Sequence, residues 1–310
     1  AGGSFGVGGF GGGVGGGGGV GGGGSGYVGG GGGFGGGGGD GDGGFGGGSG
    51  SPVGGSGFGG GYDIPQATGG AGMGGAIFNH TGTVNLLNVT ATGNSANGGG
   101  NFGCNPDCKA SGLGAVLFNL NGSVTIDFST LAGNMLSGNN AQADSKGPED
   151  GTVYSLAFGN KIQDGTASSA TLTIHNSIIH GTQASGGLHS DVSVNVVNGV
   201  HTNASNLVYV GNNFVGKSYT VIGVTQAGTS PGTVDPLLGS LSLYFQTPVL
   251  PIGSNSPAYN AAPSCIEADG ATTLFDDERA TPRPYAGLCD VGAYEFDGDY
   301  IFADGAEVKL

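Results

Sequence analysis

The 310-residue chain has no Trp, only seven Lys and Arg together, and charged side chains at 9% of its length. Each scarcity excludes something. A chain so poor in cations cannot neutralise a phosphate backbone, so nucleic acid is not an expected partner. An anionic membrane surface repels a chain of net charge −15 for the same reason. That charge arises because cations are few, not because acids abound, and it favours solubility while leaving divalent cations as partners to consider. No run approaches the ~20 apolar residues of a membrane-spanning helix, so membrane insertion is not expected either. No stretch between residues 62 and 230 repeats its apolar residues every 3.6 positions, which excludes a helical solenoid.

Cysteine is also sparse, at four residues. Cys104 and Cys108 close a short loop, and Cys265 and Cys289 flank an acidic one. Four cysteines allow three connectivities, of which this local pairing is the simplest. A zinc site is the alternative, but it asks for close C-x₂₋₄-C spacing at both ends, and only the first pair has it. Structural disulfides imply an oxidising compartment and therefore export. The small residues after Ala1 suit a mature end left by signal-peptide cleavage, as they would a trimmed chain.

Glycine is what the chain has in excess: 77 residues where average usage predicts roughly 22. Residues 1–61 hold 41 of them, with two charges, Asp40 and Asp42. Such a segment cannot be an ordinary helix, since each Gly costs about 1 kcal/mol relative to Ala. It reads either as a flexible linker or as extended, polyglycine strands bonded side by side, with Phe5, Phe10, Phe34, Phe45 and Phe58 as anchors. The recurring bulky anchors favour the second reading.

Residues 62–230 repeat. Three twelve-residue blocks align without gaps, TVNLLNVTATGN at 83–94, SVTIDFSTLAGN at 123–134 and TLTIHNSIIHGT at 171–182. Val84 and Leu86, Val124 and Ile126, Leu172 and Ile174 occupy the same alternating positions, the mark of a strand with one buried face. A shorter element precedes each block, GGAIFNHTG, GAVLFNLNG and TVYSLAFGN. Short strands separated by turns wind into a parallel β-helix, each coil burying its inward side chains on its neighbours. Asn79, Asn119 and Asn160 follow the apolar run of each repeat; they stack as an internal asparagine ladder or sit outside as turn residues. Loops at 98–112 and 136–150 absorb the surplus length between blocks. Residues 231–310 gain Pro, Arg and half of all the acidic residues, which suits a polar cap on the end coil of a solenoid.

GGAGMGGAIFNHTGTVNLLNVTATGNSANGG resembles the glycine-rich, right-handed parallel β-helix proteins of bacterial cell surfaces, and GLGAVLFNLNGSVTIDFSTLAGN and SNLVYVGNN look like successive coils of the same family. The C-terminal run is similar to a choice-of-anchor Q domain. The pattern is carried by Asp235-Pro236-Leu237-Leu238-Gly239, Gly253-Ser254-Asn255-Ser256-Pro257-Ala258, Arg279, Arg283-Pro284 and Cys289-Asp290-Val291-Gly292-Ala293-Tyr294-Glu295. The ending Ile301-Phe302-Ala303-Asp304-Gly305 resembles short tails of exported Gram-negative proteins, with Ala306 where Phe is usual. The resemblance implies an exported, adhesin-like protein and brings no catalytic residues with it.

A β-helix also carries polysaccharide-active enzymes, so the residues must be tested for chemistry. A hydrolase site needs clustered carboxylates, yet Asp127, Asp144, Glu149, Asp150, Asp164 and Asp191 are spread thinly. Asp127 lies opposite to Ile126 in its strand and is expected to face solvent. A lyase needs a cationic base, and only Lys109, Lys146, Lys161 and Lys217 are available, all in loops. His80, His175, His180, His189 and His201 are scattered and read as isolated surface or turn residues. Asp40 and Asp42, and Asp297 and Asp299, place carboxylates two apart around Gly, as calcium loops often do, although neither pair completes a calcium-binding loop pattern. Arg279 and Arg283 sit among acidic residues and read as salt bridges inside the cap.

The expectation is therefore an all-β protein: a right-handed parallel β-helix over 62–230, an extended glycine segment over 1–61 and a C-terminal cap over 231–310. Its expected role is that of a secreted or cell-surface structural or adhesive protein of a Gram-negative bacterium, without catalytic residues, self-associating into fibres and contacting surface glycans. No cofactor is expected beyond calcium. The alternative is a polysaccharide-active enzyme or a carbohydrate-binding module on the same scaffold.

Overall fold

The structure, a computed structural model, describes residues 42–49, 57–60, 69–99, 110–137, 150–159, 167–184, 189–198, 201–244, 247–285 and 287–298, with the backbone of the short strands Tyr300–Ile301 and Glu307–Val308. All regular structure among these residues is β-strand, and no helix is long and apolar enough to cross a membrane.

Most strands stack in parallel sheets, each repeat adding one strand to each sheet. The first sheet runs Ile77–His80, Leu117–Leu120, Val153–Phe158, Val192–Val197, Ser218–Thr220. The second runs Thr83–Leu87, Ser123–Asp127, Ser169–His175, Ala204–Val210, Val224–Gly228, and the third Thr90–Ala91, Thr130–Ala132, Ile178–His180, Phe214–Val215. The three blocks are in register without slippage: Val84 pairs with Val124 and that with Leu172, and Leu86 with Ile126 and Ile174. A further strand, Ala204–Val210, continues both columns with Leu207 and Tyr209. Alternation explains the result, because a one-residue slip would turn each apolar set away from the core. Val124, Ile126, Leu172, Ile174, Leu207 and Tyr209 fill a single buried cluster with Leu131, Ile179 and Val194, against which Val84 and Leu86 pack while partly buried.

The chain leaves the second sheet at the same point in every repeat, through a residue of positive φ: Asn88 at 58°, Phe128 at 40°, Asn176 at 42° and Gly211 at 63°. Asn and Gly tolerate this left-handed conformation best. A polar column follows the corner. Ser129 Oγ accepts from the Val89 amide, Ser177 Oγ from the Ser129 amide, and Asn213 Oδ1 from the Ser177 amide.

An asparagine ladder lies inside the stack. Asn79 Nδ2 donates to Asn119 Oδ1 at 2.8 Å, and Asn119 Nδ2 donates to Ser155 Oγ at 3.0 Å. The third rung is thus Ser155, the strand partner of Asn119, whereas Asn160 lies outside the described residues.

Two segments cover the flanks of the stack. Phe78, Phe118 and Tyr154 form a column of parallel rings, with centroids 5.4 and 5.3 Å apart, on the first sheet. Phe45 and Phe58 of the glycine segment stack on each other and meet Phe118, Tyr154 and Phe158 edge-on. Two glycine stretches approach closely there, with Gly46 N donating to Phe58 O at 3.0 Å and Gly57 N to Gly47 O at 2.9 Å. A Cβ on Gly57 would lie 1.6 Å from the carbonyl oxygen of Gly44, so no other residue fits. Phe5, Phe10 and Phe34 lie outside the described residues.

The C-terminal segment runs along a different flank of the stack. Asn212 Nδ2 donates to Ala261 O, the Gly292 amide to Asn176 O, the Ala268 amide to Asp127 Oδ2, and Asn88 Nδ2 to Asp276 O. The segment is a strap that touches the first four repeats. Apolar contacts fasten it, since Phe128 and Ile178 share a cluster with Val249, Ile252, Ala258, Val291 and Tyr294. Phe128 and Ile178 thus meet a later part of the chain that buries them.

Candidate functional site

The ionisable side chains gather where the strap meets the stack. Asp127 and His175 are strand partners, and their outward-facing side chains meet at 2.7 Å, Asp127 Oδ1 to His175 Nδ1. Asn176 Nδ2 lies 3.0 Å from His175 Nε2, and Phe128 packs edge-on against the imidazole. Both Asp127 and His175 are buried. The expectation of a solvent-facing Asp127 and an isolated His175 is corrected: they do point outward, but the strap closes over them, and the Ala268 amide donates to the second oxygen of Asp127 at 2.7 Å. A signal was present in the sequence, because Asp127 and His175 hold the same block position in successive repeats.

The strap carries its own ionic centre. Arg279 pairs with Asp277 at 2.8 Å and lies 3.7 Å from Asp297. Its guanidinium stacks 3.7 Å from the ring centre of Tyr294. Arg283 pairs with Glu295 at 3.2 Å, donates to Asp290 O and Gly292 O, and reaches Asn88 Oδ1 in the first repeat at 3.3 Å. Main-chain amides complete the carboxylates. Asp277 accepts from Arg279, Thr281 and Glu295, Asp290 from Asn260 and Phe296, and Glu295 from Asp290 and Tyr285. The disulfide Cys265–Cys289, with Cα atoms 5.5 Å apart, ties the two ends of this region together; Cys104 and Cys108 lie outside the described residues.

Burial sets the protonation of this centre. It pushes Glu278, which accepts from Thr90 Oγ1, up to about 7. It pushes Asp290 up to about 7 as well, raises Glu295 and lowers Arg283, in each case against the pull of neighbouring charges and hydrogen bonds.

The remaining candidates are structural acceptors or lie elsewhere. Asp191 accepts from the amides of Thr182 and Lys217, and Asp150 from that of Ser190, so both hold turns together. Asp144, Glu149, Asp164, Lys109, Lys146 and Lys161 lie outside the described residues, as do Asp40 and Asp299. Asp42 is exposed. Among the described residues no three His, Cys, Asp or Glu side chains are grouped so as to hold a metal ion. An open pocket of about 230 Å³ between stack and strap is lined by Thr92, Gly133, His180, Asp235 and Leu238 among others; it brings one imidazole and one carboxylate to a shallow, solvated surface.

Comparison of the chain with protein-family models, with curated proteins and with solved structures finds no match.

Proposed function

We propose that the chain is a right-handed parallel β-helix acting as an exported structural or adhesive protein of a Gram-negative cell surface, with a glycine segment on one flank and a choice-of-anchor Q-like strap on another. Parallel strands joined by crossovers wind right-handed in nearly all proteins. One observation carries the mechanical reading. Asp127, Asp150, Asp191, Asp277, Asp290 and Glu295 all hold main-chain amides, and Arg279 and Arg283 bind carboxylates and carbonyls of the same strap. Groups so engaged fasten the chain to itself. A hydrolase needs two free carboxylates facing a substrate groove, and these are already saturated with donors. The disulfide supports export, because such bonds persist in oxidising compartments.

The test is a screen of the purified protein on pectins, alginates and other acidic glycans. Binding without turnover is the expected limit of its reactivity. Saturable turnover that Asp127→Asn abolishes in a folded protein overturns the reading in favour of a polysaccharide-active enzyme.

A further inference from the structure

With the strap on the flank, both ends of the stack are open among the described residues. One end shows the edges of Ile77–His80, Thr83–Leu87 and Thr90–Ala91; the other shows those of Ser218–Thr220 and Val224–Gly228. Edge strands carry unpaired amides and carbonyls, and proteins guard them with charges, prolines or covering elements. Here the guards are missing from the strands. Residues 69–99 and 218–234 contain no Asp, Glu, Lys or Arg, in a chain of net charge −15. The core is unfinished at the first end, where Ile77, Val84, Leu86 and Ala91 are only partly buried. At the other end Thr225, Gln226, Ala227 and Gly228 are all exposed and Ile222 is fully so.

We infer that the last repeat of one molecule docks on the first repeat of a second copy, extending the parallel sheets end to end. This rests on the stacked-coil reading above. The occupant is a second copy because the repeats within the chain already make this joint. Strands of every repeat run the same way, so the edge at Val224–Gly228 meets the edge at Thr83–Leu87 as Ala204–Val210 meets Val224–Gly228. Continuing the columns sets Leu86 of the neighbour over Gly228 and Asn85 over Ala227. The contact pairs unlike surfaces and does not close on itself, so it generates a filament rather than a dimer.

Asn85 and Ala227 are exposed and point away from the core, so charges there leave the fold intact while facing each other across the joint. Wild-type protein is expected to form filaments with a subunit repeat of about 24 Å, five strand spacings of ~4.8 Å. Asn85→Lys with Ala227→Lys should raise the concentration needed for assembly about tenfold or more at unchanged circular dichroism, and Asn85→Glu with Ala227→Lys should restore it. A wild-type protein that stays monomeric at high concentration overturns the joint, whether the glycine segment of its own chain or nothing at all covers the edge. So does assembly indifferent to the lysine pair. A monomer without glycan turnover removes the joint and leaves the structural role standing, whereas turnover removes the role whatever the molecular mass.

Discussion

The repeat stack and the strap are held together by opposite means. The stack uses columns of Val, Leu and Ile, a backbone ladder and two polar columns, with few charges. The strap has little regular structure and relies on two arginines, three buried carboxylates and a disulfide. In the stack each contact repeats, so losing one leaves equivalent neighbours above and below. In the strap each contact occurs once. A periodic region tolerates local damage, whereas an aperiodic one concentrates its stability in a few residues.

Removing Arg283 should break the comparison open most widely. Arg283→Ala leaves Glu295 buried without its cation and frees the carbonyls of Asp290 and Gly292. Loss of one partner of a buried pair costs about 3–5 kcal/mol. The strap signal from Tyr294 and Tyr244 should melt well before the far-ultraviolet signal of the stack, and a single joint transition would show that the two regions unfold as one.

A pH titration sharpens the same contrast. Glu278 and Asp290 titrate near pH 7 when folded, and Glu295 is raised too. The folded strap therefore holds protons that the unfolded chain has released, and its stability is fully present below the ordinary carboxylate range and falls as pH rises through about 7. The loss between pH 5 and pH 8 should be on the order of 3–5 kcal/mol, about 2.5 kcal/mol at most for each of Glu278 and Asp290. A strap midpoint that climbs over this range would contradict the assignment.

The smallest effect belongs to the ladder. Asn119→Ala removes a rung bonded on both sides and should cost about 1–3 kcal/mol, whereas Asn79→Ala removes an end rung and should cost about 1 kcal/mol. Equal losses in denaturant titration would mean that stacking adds nothing to the individual bonds.

The stack was largely legible because burial there depends on local alternation: Val84, Val124 and Leu172 announce their column without knowledge of the rest of the chain. Gly211 marks the corner of the fourth strand, yet its repeat escapes a gapless alignment because one extra residue follows it, pairing Phe214 with Ile178. The shared block position of Asp127 and His175 hinted at their contact, but its burial was not legible. Outward orientation followed correctly from alternation, but burial came from Ala268, 141 residues away. The strap's position was hidden for the same reason, since its anchors on Asn88, Asn176 and Asn212 are long-range and have no periodic signature. Arg279 and Arg283 could be read as salt-bridge formers from their acidic neighbours, but the aromatic faces they cover could not.

The strap also fixes how many repeats can lie between its two outermost anchors. Asn88 of the first repeat is bonded to Asp276, and Asn212 of the fourth to Ala261. Solenoids commonly lengthen through duplication of an internal unit. Here an added coil would displace one anchor from the other by ~4.8 Å along the axis, beyond the reach of a hydrogen bond. The C-terminal segment therefore works as a measuring rod: the span from Asn88 to Asn212 can change only if rod and stack change together.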